Sequence, residues 1–96
     1  MLTQASIENK LQGIKQRIVE KYFVDKIGYF GSFSRNEQNA NSDVDIIVSF
    51  KKPLGWEFFD LKDLLENELQ TKVDLVSINA IKDQLRESIL KEVKYI

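Results

Sequence analysis

The chain contains no cysteine and no histidine. The first absence removes disulfides, thiolate catalysis and cysteine–zinc sites. The second removes the usual general base, the Ser-His-Asp triad and imidazole metal sites. Any metal must therefore sit on carboxylates, which suits hard ions such as magnesium or manganese. Proline occurs once and glycine four times in 96 residues. There is no low-complexity tract, internal repeat or linker, so residues 1–96 read as a single domain. No apolar run approaches the roughly 18–20 residues of a membrane span. The opening MLTQASIENK lacks the basic and apolar regions of a signal peptide, so the expected location is cytoplasmic. Nor is there an excess of either charge: 14 basic residues face 15 acidic ones, for a net charge of −1. That balance argues against nucleic-acid binding by non-specific phosphate attraction. A hydrophobic fraction of 43% argues against disorder.

Hydrophobic spacing places the elements. Residues 4–23 read as a helix because Ile7, Leu11, Ile14, Ile18 and Tyr22 share one face, with Thr3 or Ser6 available as a cap. Residues 26–30 read as a strand, followed by a Gly31–Ser32 turn and a short helix over SFSRNE. Residues 43–50 alternate as a strand, with Val44, Ile46, Val48 and Phe50 on one face and Asp43, Asp45, Ile47 and Ser49 on the other. A helix over 56–69 presents Phe58, Leu61, Leu65 and Leu69, and residues 72–77 form a third strand. Asn79 caps a last helix over roughly 80–93, with Ile81, Leu85 and Ile89 inward. The tail VKYI either adds an edge strand or ends that helix. The expected class is α/β (α+β): a small three-stranded sheet with helices packed mainly on one side.

Three features point to chemistry. A Gly-Ser turn after a strand lets a ligand approach the backbone and, ahead of a helix, offers free N–H groups to phosphate. Taken alone it is an ordinary turn. Asp43 and Asp45 lie two residues apart on one strand face, about 6.6–6.8 Å from each other. Such carboxylates repel unless a positive group joins them, although a lone pair of this kind also occurs as exposed strand-end aspartates. Asp74 stands between apolar residues of a short strand, where it needs a partner or an edge position facing water. Together they set a phosphate cradle beside three carboxylates. That combination suits two divalent ions clamping an in-line displacement at phosphorus. Arg35 follows Ser32 by three residues and either meets a phosphate or bridges to one of the aspartates.

Gly31-Ser32, Arg35 and Ser42-Asp43-Val44-Asp45 resemble the GSxxR…SDxD signature of the DNA polymerase beta-like nucleotidyltransferase superfamily. Over GSFSRNE, NSDVDIIVSF, PLGWEFFDLKDLLE, KVDLVSINAI and SILKEVKYI, essentially the whole chain resembles the minimal nucleotidyltransferase (MNT) family. The resemblance implies the nucleotidyltransferase fold with a small mixed sheet. It implies Asp43, Asp45 and Asp74 as catalytic metal ligands, with Asp74 helping to activate the attacking hydroxyl. Gly31 and Ser32 would form the triphosphate-binding turn. The implied reaction moves a nucleoside monophosphate, AMP from ATP, to a hydroxyl with loss of pyrophosphate, using magnesium or manganese in a two-ion site. The implied partner is a HEPN-domain protein, whose tyrosine some family members adenylylate as the antitoxin of a toxin–antitoxin pair. Asn36 stands where many relatives carry glycine, which bears on the shape of the loop.

No second domain is evident to recognise an acceptor, so the acceptor is expected from a partner or from self-association. Trp56, Phe58, Phe59, Tyr95 and Ile96 are candidate contacts, each with ordinary core packing as the alternative. Lys10, Lys15, Arg17 and Lys21 read as a solvated helix face. A second functional reading makes the domain an interaction protein that neutralises a HEPN partner by binding, with the aspartates as an acidic docking surface and little or no catalysis.

Overall fold

The computed structural model describes residues 2–96. The elements are α1 (Gln4–Tyr22), β1 (Val24–Phe30), β2 (Val44–Phe50), α2 (Glu57–Leu69), β3 (Val73–Ser77), a single 3-10 turn (Ile78–Ala80), α3 (Asp83–Glu92) and β4 (Lys94–Tyr95). Thr3 caps α1, and Thr3 and Ser6 exchange hydrogen bonds as a reciprocal capping box, so both candidate caps take part. The five apolar residues at helical spacing are all buried. The helix stops at Tyr22 because Phe23 turns left-handed, at φ 58°, and lets the chain enter β1 two residues earlier than expected.

The sheet has four strands in the order β3-β2-β1-β4, one more than the three expected. The tail supplies the fourth, pairing Gly28 with Tyr95 and Tyr29 with Lys94. β1 is antiparallel to β2 and to β4, while β2 and β3 run parallel, so the sheet is mixed. Val44, Ile46 and Val48 project into one core together with the buried faces of α1 and α2, Ile27 and Tyr29 of β1, and Val73 and Leu75 of β3. The helices that build this core thus cover one face of the sheet, as the alternation in β2 requires.

Two expectations fail. SFSRNE is not a helix but a run of turns. The Arg35 N–H reaches back to the Gly31 carbonyl and the Glu37 N–H to that of Ser32, spans of four and five residues, and Asn36 sits at φ 57°. A left-handed residue ends helical winding, and asparagine tolerates that conformation better than most residues other than glycine. The last helix starts at Asp83, after Lys82 rather than Asn79, and buries no residue completely. Leu85 is exposed and Ile89 only half-buried, so of the three residues expected inward only Ile81 is buried, and it precedes the helix. None of the described helices is long and apolar enough to cross a membrane.

Candidate functional site

The site forms at one end of the central strands. β1 ends at Phe30, which is level with Asp45 across the antiparallel ladder. Gly31 then turns left-handed, at φ 73°, and packs so closely that an added Cβ would overlap the Asp45 Oδ2 atom. Here glycine is required twice, by conformation and by contact. On the other side of β2, the parallel register sets Asp45 level with Asp74. Residues level with each other in adjacent parallel strands point to the same face, and this face is opposite the core. Asp43, one residue before β2, is exposed, as is Asp74, whereas Asp45 is half-buried.

Asp74 thereby satisfies both readings open in the sequence. β3 is an edge strand and Asp74 meets water, yet it also stands beside Asp45. The electrostatics record this crowding. Burial, then Asp74, then Asp43 push the Asp45 carboxyl up to about 6, with Arg35 opposing and Glu92 adding to the rise. Strand register sets Asp45 level with Asp74 and with Phe30, and Gly31 and Asp43 follow as the residues just beyond the ends of β1 and β2.

The turn after Gly31 is held by groups that sequence reasoning missed. The Ser34 hydroxyl donates to the Gly31 carbonyl at 2.9 Å. The Gln4 side-chain amide of α1 donates to the carbonyls of Phe33 (2.8 Å) and Ser34 (3.1 Å). The Tyr29 hydroxyl donates to Glu8 at 3.0 Å, and burial together with Glu8 pushes its phenol up to about 12, so it remains a neutral donor. Gln4 and Glu8 are four apart on α1, but nothing in a polar helix face announces which strand or turn it will meet.

Arg35 does not bridge to an aspartate. It pairs with Glu92 at 2.7 Å and with Glu37 at 3.3 Å. Glu92 ends α3, and its other oxygen accepts the Gly31 N–H at 3.2 Å. No local pattern marks Glu92, because its role depends on β4 returning beside β1. Ser32 is half-buried next to Gly31, and its carbonyl accepts the Glu37 N–H at 2.8 Å.

The family model described as polymerase beta, nucleotidyltransferase matches residues 12–96. The chain belongs to the polymerase beta nucleotidyltransferase family. Protein adenylyltransferase MntA of Thermococcus cleftensis is 39% identical over 97 residues, covering 100% of this chain and 98% of the relative. A solved structure of a proposed minimal nucleotidyltransferase superposes on this nucleotidyltransferase with a TM-score of 0.83 at 26% identity, covering 97% of this chain and 95% of the other. A chain from a crystal structure of a toxin–antitoxin with AMP-PNP gives a TM-score of 0.71 at 26% identity, covering 98% of this nucleotidyltransferase and 72% of that chain.

Among the grooves of the described residues, two are relevant to the placement of the site. The larger, lined by residues including Phe50, Lys52, Phe58 and Asn79, lies at the opposite end of β2 from Asp45. The smaller, lined by residues including Phe33, Asn39, Ser42 and Thr71, borders the loop that carries Asp43. Of the candidate contact residues, Trp56, Phe59 and Tyr95 are exposed, Trp56 at 84%, while Phe58 and Ile96 pack against the core.

The carboxylates fit a hard divalent cation by chemistry: they offer only oxygen donors, and their mutual repulsion is what a bound cation relieves. Among the described residues no group of three or more acidic side chains is gathered so as to hold a metal ion. The fit therefore rests on the donor type and on the register of Asp45 with Asp74.

Proposed function

We propose that this nucleotidyltransferase moves AMP from ATP to a hydroxyl of a partner protein, with Asp43, Asp45 and Asp74 as the metal-holding carboxylates and Gly31, Ser32 and Arg35 on the phosphate side. The observation that carries the reading is the level placement of Asp45 and Asp74 against the left-handed Gly31 turn. It provides negative groups for a cation beside a glycine turn that carries no side chain on its phosphate side. The name of the Thermococcus relative and the AMP-PNP in the similar toxin–antitoxin structure support adenylyl transfer.

In this reading the acceptor oxygen forms a bond to the α-phosphorus, and the bond from that phosphorus to the pyrophosphate oxygen breaks with its electron pair leaving on pyrophosphate. The hydroxyl proton passes to a carboxylate, for which Asp74 is the assignment. A magnesium or manganese ion, when bound, supplies neutralisation of phosphate charge and a lower hydroxyl pKa. The protein's own part is positioning. Gly31 keeps the turn free of a side chain, and Arg35 supplies a cation at its rim.

Asp43 and Asp74 are exposed, so a hydroxyl on a second macromolecule can reach the reacting centre. The proposed acceptor is a tyrosine of a HEPN-domain toxin, the pairing that the family resemblance implies. Purely passive neutralisation through an acidic docking surface fits less well, because Asp45 is half-buried against Gly31 rather than displayed.

The test is incubation with magnesium and α-labelled ATP, with and without a HEPN protein if one is encoded beside this one, followed by intact mass of each protein. AMP added to the partner, and lost with Asp43→Asn, is the expected result. A stable complex with no label on either chain overturns adenylyl transfer to that partner.

A further inference from the structure

Glu92 holds the same donors that a phosphate needs. One carboxylate oxygen accepts the Gly31 N–H at 3.2 Å and the other takes the Arg35 guanidinium at 2.7 Å. A backbone N–H of a glycine turn beside a guanidinium is a standard anion-binding pair. In this fold the anion already bound there belongs to the protein.

The placement is built in by topology. β4 pairs with β1 so that Tyr29 is level with Lys94, and extending that register by two residues sets Gly31 opposite Glu92. Gly28 lets the strands close, since a Cβ there would strike the Lys94 carbonyl and the Val93 side chain at under 3 Å. The tail is pinned further by the Ile96 N–H on the Ile27 carbonyl, at 2.9 Å, and by the Lys15 ammonium on the Ile96 carbonyl, at 2.8 Å. Glu92 is thus delivered to the turn by an anchored segment, with its side chain only 26% exposed.

We propose that Glu92 is an internal competitor for the phosphate position: its carboxylate occupies the Gly31–Arg35 donors and must be displaced by the nucleotide phosphates, so that it sets nucleotide affinity. This rests on the functional reading above and deepens it. The contact does two things in the free protein. It satisfies a backbone donor that would otherwise be left unpaired at the end of β1, and it holds Arg35 in an ion pair away from Asp45. It also adds a fourth negative group near Asp43, Asp45 and Asp74, which opposes an incoming polyphosphate.

The test compares wild type, Glu92→Gln and Glu92→Ala in two measurements. The first is the Kd for ATP in the presence of magnesium, by calorimetry. Both variants are expected to bind about three- to tenfold tighter, the effect of removing one modest charge contact. The second needs no ligand: amide hydrogen exchange at Gly31. Protection is expected in wild type, to fall in Glu92→Ala, and to return when ATP is added. Thermal unfolding of each variant confirms that the fold is retained. If wild type binds ATP and the variants bind equally or more weakly, Glu92 is not a competitor and the proposal fails while the functional reading stands. If no form binds ATP, the functional reading falls and takes the proposal with it.

Discussion

The Asp45 carboxylate is partly withdrawn from water and faces Asp74 and Asp43, and all of these favour its protonated form. Its folded-state value of about 6 lies above the ordinary 3.8 expected when the chain is unfolded. Between roughly pH 4 and pH 6 the native protein therefore binds more protons than the unfolded one. The contribution of this group is thus most favourable at acid pH and is lost as pH rises through that window. Asp45→Asn removes the ionisation, so the variant should be more stable than wild type at pH 7 by about 1–2 kcal/mol once solvent screening is allowed for. Urea unfolding at pH 7 and at pH 4 checks this: the gain should be present at the first and absent at the second. The same variant should lose AMP transfer by at least on the order of a hundredfold. Retained transfer would remove Asp45 from the site. Gly31→Ala is the opposite case. The left-handed φ of 73° and the overlap with Asp45 both penalise a methyl group, so stability should fall by about 1–3 kcal/mol in urea unfolding, with ATP affinity lost as well.

At the level of elements, the tail is where sequence and structure diverge, and strand pairing explains why. The periodicity of α1 was legible because five apolar residues meet one core. β2 was legible because its two faces differ. β4 has two exposed residues, and its place depends on a gap at Gly28, a contact no local pattern records. Glu92 was invisible for the same reason. SFSRNE reads as helical locally but is overruled by the left-handed Asn36 and by Gln4, which arrives from 29 residues away. The three aspartates and Gly31 stand out in sequence because their types are chemically conspicuous, though the level placement of Asp45 and Asp74 follows only from register. Gly28→Ala tests the role of the gap. It should push β4 from β1, cost about 1–3 kcal/mol, and speed hydrogen exchange at Ile96, whose N–H is held by the Ile27 carbonyl, while the α1–α2 core stays protected. Unchanged exchange at Ile96 would show that β4 tolerates the methyl group.

Across the whole molecule, the core and the carboxylate cluster occupy opposite faces of one sheet. The core is closed by α1, α2 and the inward residues of β1, β2 and β3, with no acidic group required inside it. The cluster instead opposes folding, first through the partial burial of Asp45 and then through repulsion from Asp74 and Asp43. Folding should therefore not require a metal, unlike small domains whose folding free energy is metal-binding free energy. In the presence of a chelator the protein should still unfold in one cooperative transition by calorimetry, while AMP transfer is abolished. Magnesium at ten times its Kd should add about 1.4 kcal/mol by mass action, a rise of roughly 5–10 °C in Tm for a domain of this size. In Asp45→Asn at the same magnesium concentration that rise should shrink, since the variant has lost a charged oxygen donor and binds the ion more weakly. A chelated protein with no cooperative transition would mean that the cation is structural, and that the acidic face takes part in holding the sheet together.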